Sequence, residues 1–303
     1  MSGIFIFLFS KIPAAAALLK KAIFGYGYSG GYVSMTNLVS NTGVVSTDVT
    51  GVGTARYGTA AAGYGSDKAI FGYGYNGAIM SITNLVSNTG VVSTNVTGVG
   101  SARFVLAAAG YGSDKAIFGY GYNGAVQYIT NLVSNTGVVS TDVTGVGTAR
   151  YGLAATGYGS DKAIFGYGAA SSSVSTTNLV SNTGVVSSDV TGVGTVRYYP
   201  AAARYGSDKA IFGYGAASGD SPVSMTNLVS NTGVVSTDVT GVGSVRYGLA
   251  ATGYGSDKAI FGYGYNNSSS LSMTNLVSNT GVVSSDVTGV GTARYILAAA
   301  SYG

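Results

Sequence analysis

Asp, Lys, Arg and Tyr are the ionisable side chains of this 303-residue chain, because its sequence contains no His, Cys or Glu; Trp is also absent. Without His or Cys there is no imidazole base, no thiolate nucleophile and no ordinary zinc, haem or iron–sulfur site. Paired Asp carboxylates could hydrolyse a glycoside. Ten of the eleven Asp residues, however, occupy two positions that recur five times each, whereas a catalytic pair needs two carboxyl groups in different environments. The sequence therefore predicts a protein that is not an enzyme and that holds no metal and no cofactor.

The recurring positions belong to a unit that appears six times. The string AIFGYG begins at positions 22, 69, 116, 163, 210 and 259, and the eleven residues TNLVSNTGVVS are identical in every copy. Repeats of about 20 to 50 residues are typical of solenoids, propellers and other arrays. The six units fill residues 20–303, which we interpret as one domain, and residues 1–19 precede them as an apolar N-terminal arm or tail.

Each unit contains four short apolar runs separated by turn residues. In the unit around Ala116 they cover 106–111, 116–121, 128–133 and 138–143. β-Branched residues and Tyr dominate these runs, as strands prefer, and the high glycine content argues against helix. Four strands of about six residues with short connections match one four-stranded propeller blade.

An open solenoid is the main alternative to a ring. Solenoids need atypical polar repeats at their ends, and here the sixth copy is as regular as the second. The sequence therefore predicts an all-β, six-bladed β-propeller with four antiparallel strands per blade. Residues 293–303 form a complete first strand with no later partners, whereas the first blade begins at its second strand, near Lys21. We predict that this C-terminal strand completes the first blade and closes the ring.

The segment ARYGLAATGYGSDKAIFGYG, residues 149–168, resembles the opening half of a kelch repeat, and TNLVSNTGVV stands where that family carries its third strand and following turn. Two features depart from the family: its paired glycines are spaced as Gly-Tyr-Gly, and its Trp is absent. The near-verbatim repetition is also similar to that of uncharacterised repeat proteins from marine phage metagenomes. These resemblances imply a kelch-like propeller of phage-related origin, at a virion or in an extracellular setting.

The charged residues follow the repeat. Six Lys, six Arg and ten Asp fill repeated positions, and only Lys11, Lys20, Arg204 and Asp220 do not. Arg150 follows Asp142 by eight residues, as in most copies, so we expect Arg–Asp pairs within or between units. The alternative is a ring of Arg around one mouth of the channel that attracts an anion. Nucleic acid is not an expected partner, because the basic residues are not clustered without acids.

The six copies differ mainly between AIFGYG and TNLVSN, and again just after the repeated Arg. In the kelch arrangement these connections emerge on one face. They are rich in Tyr, Asn, Ser and Gly, the residues of adaptable binding surfaces, although neutral drift in exposed loops would also produce such variation. The candidate ligand-binding residues are Tyr28, Tyr32, Tyr75, Asn76, Tyr122, Asn123, Tyr128, Tyr198, Tyr199, Tyr265 and Asn266.

Two functions remain open from the sequence. The first is a recognition module that binds a glycan or a protein through this variable face. The second is a structural subunit of a virion, shell or fibre that self-assembles through its apolar N-terminus, which few charges would oppose. The apolar run at 4–9 is too short to span a bilayer. Residues 1–19 could instead be a packed strand or arm, with 12–19 as a degenerate first strand, or a targeting signal.

Overall fold

The computed structural model describes residues 20–303, so the predictions for residues 1–19 lie outside the described residues. The described chain is all-β, and a single 3-10 turn at Ser218–Asp220 is its one helical element. The strands are β1 Lys21–Gly25, β2 Thr36–Val39, β3 Ala60–Tyr64, β4 Lys68–Tyr75, β5 Ile79–Val86, β6 Ala107–Tyr111, β7 Lys115–Tyr122, β8 Val126–Val133, β9 Ala154–Tyr158, β10 Lys162–Gly166, β11 Thr177–Val180, β12 Ala201–Tyr205, β13 Lys209–Gly213, β14 Ala216–Ala217, β15 Ser221–Pro222, β16 Thr226–Val229, β17 Ala250–Tyr254, β18 Lys258–Tyr265, β19 Ser270–Val277 and β20 Ala298–Tyr302.

The strands form repeated three-stranded antiparallel sheets. Five sheets are local in sequence: β3-β4-β5, β6-β7-β8, β9-β10-β11, β12-β13-β16 and β17-β18-β19. The sixth joins the two ends of the described chain, because β1 lies between β2 and β20. Its register runs from Lys21 opposite Tyr302 to Gly25 opposite Ala298. This pairing confirms that the C-terminal run supplies the strand that the first unit lacks.

The fourth predicted run of each unit pairs more loosely than the other three. In the third unit it makes isolated bridges at Val139 and Val143 with residues of β8. Between these bridges, side chains replace only part of the backbone ladder. The Ser140 N–H still donates to the Leu132 carbonyl at 2.8 Å, whereas the Leu132 N–H donates to Ser140 Oγ at 3.0 Å and Asn131 Nδ2 donates to the Ser140 carbonyl at 3.0 Å. The run contains Ser, Thr and Asp, whose side chains form such local hydrogen bonds with the backbone. A full fourth strand per unit therefore stays a prediction.

The Gly-Tyr-Gly string inserts a tyrosine between neighbouring sheets. The register of β4 against β5 shifts between Gly72 and Gly74, and Tyr73 between them has a positive φ of 63°. A Cβ at Gly72 would lie 2.7 Å from the Phe118 ring, so only glycine fits there. Tyr73 is fully buried, with its ring edge-on to Phe118 at 5.1 Å. The string thus builds the contact between one sheet and the next.

The first strands of all six sheets lie side by side. Their contacts run in the order β20, β3, β6, β9, β12, β17 and back to β20. A cavity of about 320 Å³ lies between them. Its walls carry small side chains because these strands read AAAGY, AATGY, AAARY or AAASY. Their alternate residues, such as Ala109 and Tyr111, are buried against the second strands.

Candidate functional site

Aromatic side chains form a continuous belt on the side where the variable segments emerge. Ten rings follow one another with centroids 5.0 to 6.4 Å apart, and the last ring returns to the first. Two further rings attach to it, Tyr32 stacked on Tyr57 at 5.7 Å and Tyr198 against Tyr199 at 4.9 Å. We call these twelve residues the aromatic belt: Tyr28, Tyr32, Tyr57, Tyr75, Phe104, Tyr122, Tyr151, Tyr198, Tyr199, Tyr247, Tyr265 and Tyr295.

Backbone pairing between consecutive units positions the belt. The residue after each repeated Arg bridges to the residue after the Gly-Tyr-Gly string, as Tyr57 does with Tyr75 and Phe104 with Tyr122. Two units carry Ala169 and Ala216 at the second position, so the belt is thinner there. Its rings are partly exposed, and Tyr32 is the most open, at 38%. The belt therefore offers aromatic surface to an outside ligand while its members support each other.

Six backbone amides form a cycle of hydrogen bonds just before the first strands, on the side of the belt. Each N–H donates to the carbonyl of the equivalent residue in the preceding unit at 2.6 to 3.0 Å, and the sixth bond returns to the start. We call these residues the axial ring: Gly58, Val105, Gly152, Tyr199, Gly248 and Ile296.

All six residues of the axial ring have φ between 48° and 67°, the left-handed region. Glycines alternate with large side chains around it, and a Cβ at Gly152 would lie 3.2 Å from the Tyr199 ring. Each of the three large side chains thus occupies the space that a Cβ on the neighbouring glycine would need.

Seven of the eleven predicted site residues belong to the belt: Tyr28, Tyr32, Tyr75, Tyr122, Tyr198, Tyr199 and Tyr265. The other four do not. Tyr128 is 41% exposed and stands apart from the belt. Asn123 Oδ1 accepts a hydrogen bond from Gln127 at 2.8 Å, and Asn266 Oδ1 accepts the amides of Ser268 and Ser269. Asn76 lies in the tight turn after β4, where its N–H donates to the Ala78 carbonyl. These Asn residues shape their own loops.

Five belt residues were not among the sequence candidates: Tyr57, Phe104, Tyr151, Tyr247 and Tyr295. One signal could have found them, since an aromatic residue follows the repeated Arg in all six units. The segment after the Arg varies between copies, but its first residue is aromatic in every one, and this constant feature identifies the five residues.

Tyr198 and Tyr199 have the most perturbed phenols of the belt. Burial raises the pKa of Tyr199, and the surrounding tyrosines add to this effect. Partial burial also raises the pKa of Tyr198, and so does its hydrogen bond to the Asp220 carboxylate. Both phenols are therefore neutral hydrogen-bonding groups at physiological pH. Asp220 occurs only in the fifth unit, which makes this side of the belt unlike the rest.

The repeated arginines lie sideways between sheets, so the alternative of an Arg ring at a channel mouth is wrong. The Arg103 side chain is fully buried, with its guanidinium 4.4 Å from the centre of the Tyr73 ring. Its Nη2 donates to Asn131 Oδ1 and its Nη1 to the Ser101 carbonyl. Burial lowers the pKa of Arg103, yet a guanidinium remains charged at neutral pH.

The expected Arg–Asp pairs form between successive sheets at five places. Arg103 Nη1 lies 3.8 Å from Asp142 Oδ1, and equivalent pairs link Arg150, Arg197, Arg246 and Arg294 to their partners. At the sixth place Asn95 stands where the other units have Asp, and it donates to Thr54 Oγ1 at 2.7 Å.

The partner carboxylates are held in their ionised form. Partial burial acts to raise the pKa of Asp142, but hydrogen bonds from Ser101 and Asn131 outweigh it, so the pKa lies below its usual range. Charge and hydrogen bonding thus stabilise the contacts between neighbouring sheets.

No protein-family model and no curated protein matches this chain. Within residues 20–303 there is no group of three or more acidic side chains that could hold a metal ion. The same residues include no helix of the length and hydropathy that crossing a bilayer requires.

Proposed function

We propose that residues 20–303 form a six-bladed, kelch-like β-propeller that recognises its ligand through the aromatic belt and performs no catalysis. Three observations support the ring. The first strands contact one another in a cycle, the axial ring is a cycle of six hydrogen bonds, and β20 completes the sheet of β1. The cycle of first strands and the cycle of hydrogen bonds each have six members, which matches a ring of six blades.

The closed aromatic belt is the observation that carries the recognition function. Tyr combines a rigid apolar ring with a hydroxyl that donates and accepts hydrogen bonds. The negative face of an aromatic ring attracts the C–H groups of a sugar, and its hydroxyl can pair with a sugar hydroxyl. Contiguous exposed apolar surface of this kind typically marks an interaction site. We therefore favour a glycan at a cell or virion surface over a protein as the ligand.

A paired set of variants tests this function. Labelled full-length chain is applied to a broad glycan panel and to intact bacterial cells. The affinity of saturable binding should fall at least about tenfold when Tyr75 and Tyr122 are both replaced by Ala. Each replacement removes a stacking contact that contributes about 1 kcal/mol or more to the binding free energy. Tyr128→Ala is the matched control, since Tyr128 is exposed but outside the belt. Equal losses in the control and the double variant, or no binding by a folded chain, would overturn the proposal.

A structural subunit is the second candidate, and one observation favours it. Six equivalent valines are each 66% exposed at the start of the loosely paired fourth runs. Apolar side chains on an incompletely paired edge promote association between chains. They are Val44, Val91, Val138, Val185, Val234 and Val282.

Sedimentation velocity tests assembly through these valines. The full chain should associate with rising concentration, and replacing all six valines by Thr should return it to a monomer. A wild-type chain that stays monomeric at every concentration would exclude assembly by this route.

A further inference from the structure

Two of the four charged residues that lie outside the repeat meet in the central cavity. Lys20 and Arg204 are 184 positions apart, yet both line it. Arg204 occupies a strand position where four other units have Gly and the last has Ser, so five first strands place no charge there. The cavity therefore departs from sixfold symmetry at one place, and the departure is cationic.

The Arg204 guanidinium is anchored by uncharged acceptors and forms no salt bridge within residues 20–303, although the charge of Asp208 acts on it from a greater distance. Its Nε donates to the Ser207 carbonyl at 2.6 Å and its Nη2 to the Gly159 carbonyl at 2.6 Å. Both acceptors are uncharged. Its Nη1 makes no hydrogen bond with residues 20–303 and lies 4.0 Å from the position of a Cβ on Gly157, in the neighbouring first strand. One face of the guanidinium is thus held in place while its other terminal nitrogen points along the cavity wall.

Lys20 is fixed beside it by its backbone. Its N–H donates to the Gly255 carbonyl at 3.1 Å, and the Gly255 N–H donates back at 2.7 Å. Burial lowers the pKa of Lys20, and the positive charge of Arg204 lowers it further. Neither cation has a salt-bridge partner within residues 20–303, and the segment 1–19 contains no acid.

The other charges around the cavity leave its lining net positive, although Lys68 is paired with Asp67 at 3.2 Å. Lys68, Lys115 and Lys162 line it together with Asp161 as the single acid. Asp161 Oδ2 accepts a hydrogen bond from Asn182 at 3.0 Å, and its negative charge offsets one of these lysines. Low-dielectric walls concentrate the field of such charges. Because the axial ring lies across the belt end of the first strands and the lysines line the other end, a ligand would enter from the lysine side.

We propose that this cavity is a binding site for a small oxyanion, a phosphate or carboxylate group, with Arg204 and Lys20 as its anchors. Guanidinium groups suit these anions because their donors match the spacing of two oxygens. Two unpaired cations match a dianion in charge. The volume of about 320 Å³ is at the small end of ligand pockets. The site lies at the opposite end of the cavity from the belt, so its failure and that of glycan recognition are separately observable.

Calorimetric titration of the full chain tests the site with two probes, inorganic phosphate and succinate, at constant ionic strength against chloride. Arg204→Gly installs the residue of four other units, so the strand keeps a sequence that the fold accepts. We expect this variant and Lys20→Gln each to weaken binding about tenfold or more, as loss of a charge-assisted hydrogen bond does. Lys209→Gln removes one charge near the same end but does not line the cavity. It should leave affinity nearly unchanged.

The two probes identify the source of the anion. Binding of phosphate alone would point to phosphorylated ligands, and binding of succinate alone to carboxylates, and either result supports the site. Absence of binding by both probes would overturn it. So would an affinity that Arg204→Gly leaves unchanged, or one that Lys209→Gln lowers as much. Thermal melting of each variant checks that the fold is retained.

Discussion

Replacing Asp142 by Asn should destabilise the protein far less than replacing its partner Arg103 by Met. The two residues belong to one inter-sheet cluster, with Arg103 Nη1 3.8 Å from Asp142 Oδ1. Arg103 is fully buried, whereas the Asp142 side chain is 30% exposed. Solvent therefore screens the carboxylate, and the charge–charge attraction at that distance is on the order of 1 kcal/mol.

The hydrogen bonds of Asp142 should survive the change to Asn. Asn95 at the sixth interface shows how: its Oδ1 accepts from Asn84, and its Nδ2 donates to Thr54. Asp142→Asn should consequently lower the free energy of unfolding by only about 1 kcal/mol. Arg103→Met leaves Asn131 Oδ1 and the Ser101 carbonyl without their donor and removes the contact with Tyr73. Breaking a buried charged cluster in this way costs about 3–5 kcal/mol.

Urea denaturation at neutral pH, followed by circular dichroism, measures both variants. Asn95→Asp is the reciprocal control, because it should create the missing pair with Arg56 and add up to about 1 kcal/mol. A cost above about 3 kcal/mol for Asp142→Asn would refute the reasoning, since the carboxylate would then act as a buried charge. A cost below about 1 kcal/mol for Arg103→Met would refute it from the other side.

Three further predictions concern pH, the chain ends and the axial ring. The pKa values of the five partner carboxyls are lowered in the folded state. The stabilisation that these carboxylates give the folded state is therefore complete above the unfolded pKa of about 3.9 and is lost as the pH falls through the folded pKa. A variant with Asn at all five positions should show a melting temperature that depends less on pH in the acid range. Deleting residues 293–303 removes β20 and should abolish cooperative unfolding in a calorimetric scan, whereas an unchanged melting curve would show that β20 is dispensable. Gly152 has a φ of 58°, and a Cβ there would lie 3.2 Å from the Tyr199 ring. Gly152→Ala should therefore lower the free energy of unfolding, measured by urea titration, by about 1 kcal/mol or more. Gly31→Ala should have little effect in the same titration, because a Cβ at Gly31 would meet open space.

The sequence by itself determined the local order of this protein. The identical strings define the repeat, the short apolar runs between turn residues define the three strands of each sheet, and the surplus run at 293–303 identifies the partner of β1. The repeat and the strands depend on residues that are neighbours in sequence. The pairing of the last strand follows because only one sheet lacks a first strand. The expectation of Arg–Asp pairing was also accessible, because matched charges recur at one spacing. A full fourth strand stays a prediction, because the Ser140 and Asn131 side chains take over part of its ladder.

Only the tertiary structure decided what lies between units. Arg103 could have faced a channel or a neighbouring sheet, and its burial against Tyr73 depends on how far consecutive sheets are rotated and separated. The belt arises in the same way, because its consecutive rings lie 18 or more positions apart in the chain, as Tyr57 and Tyr75 do, and only packing brings them together. Arg204 and Lys20 converge because the first strands enclose one cavity. Long-range packing therefore determines which side chains share a surface, whereas short-range pairing determines which residues form strands.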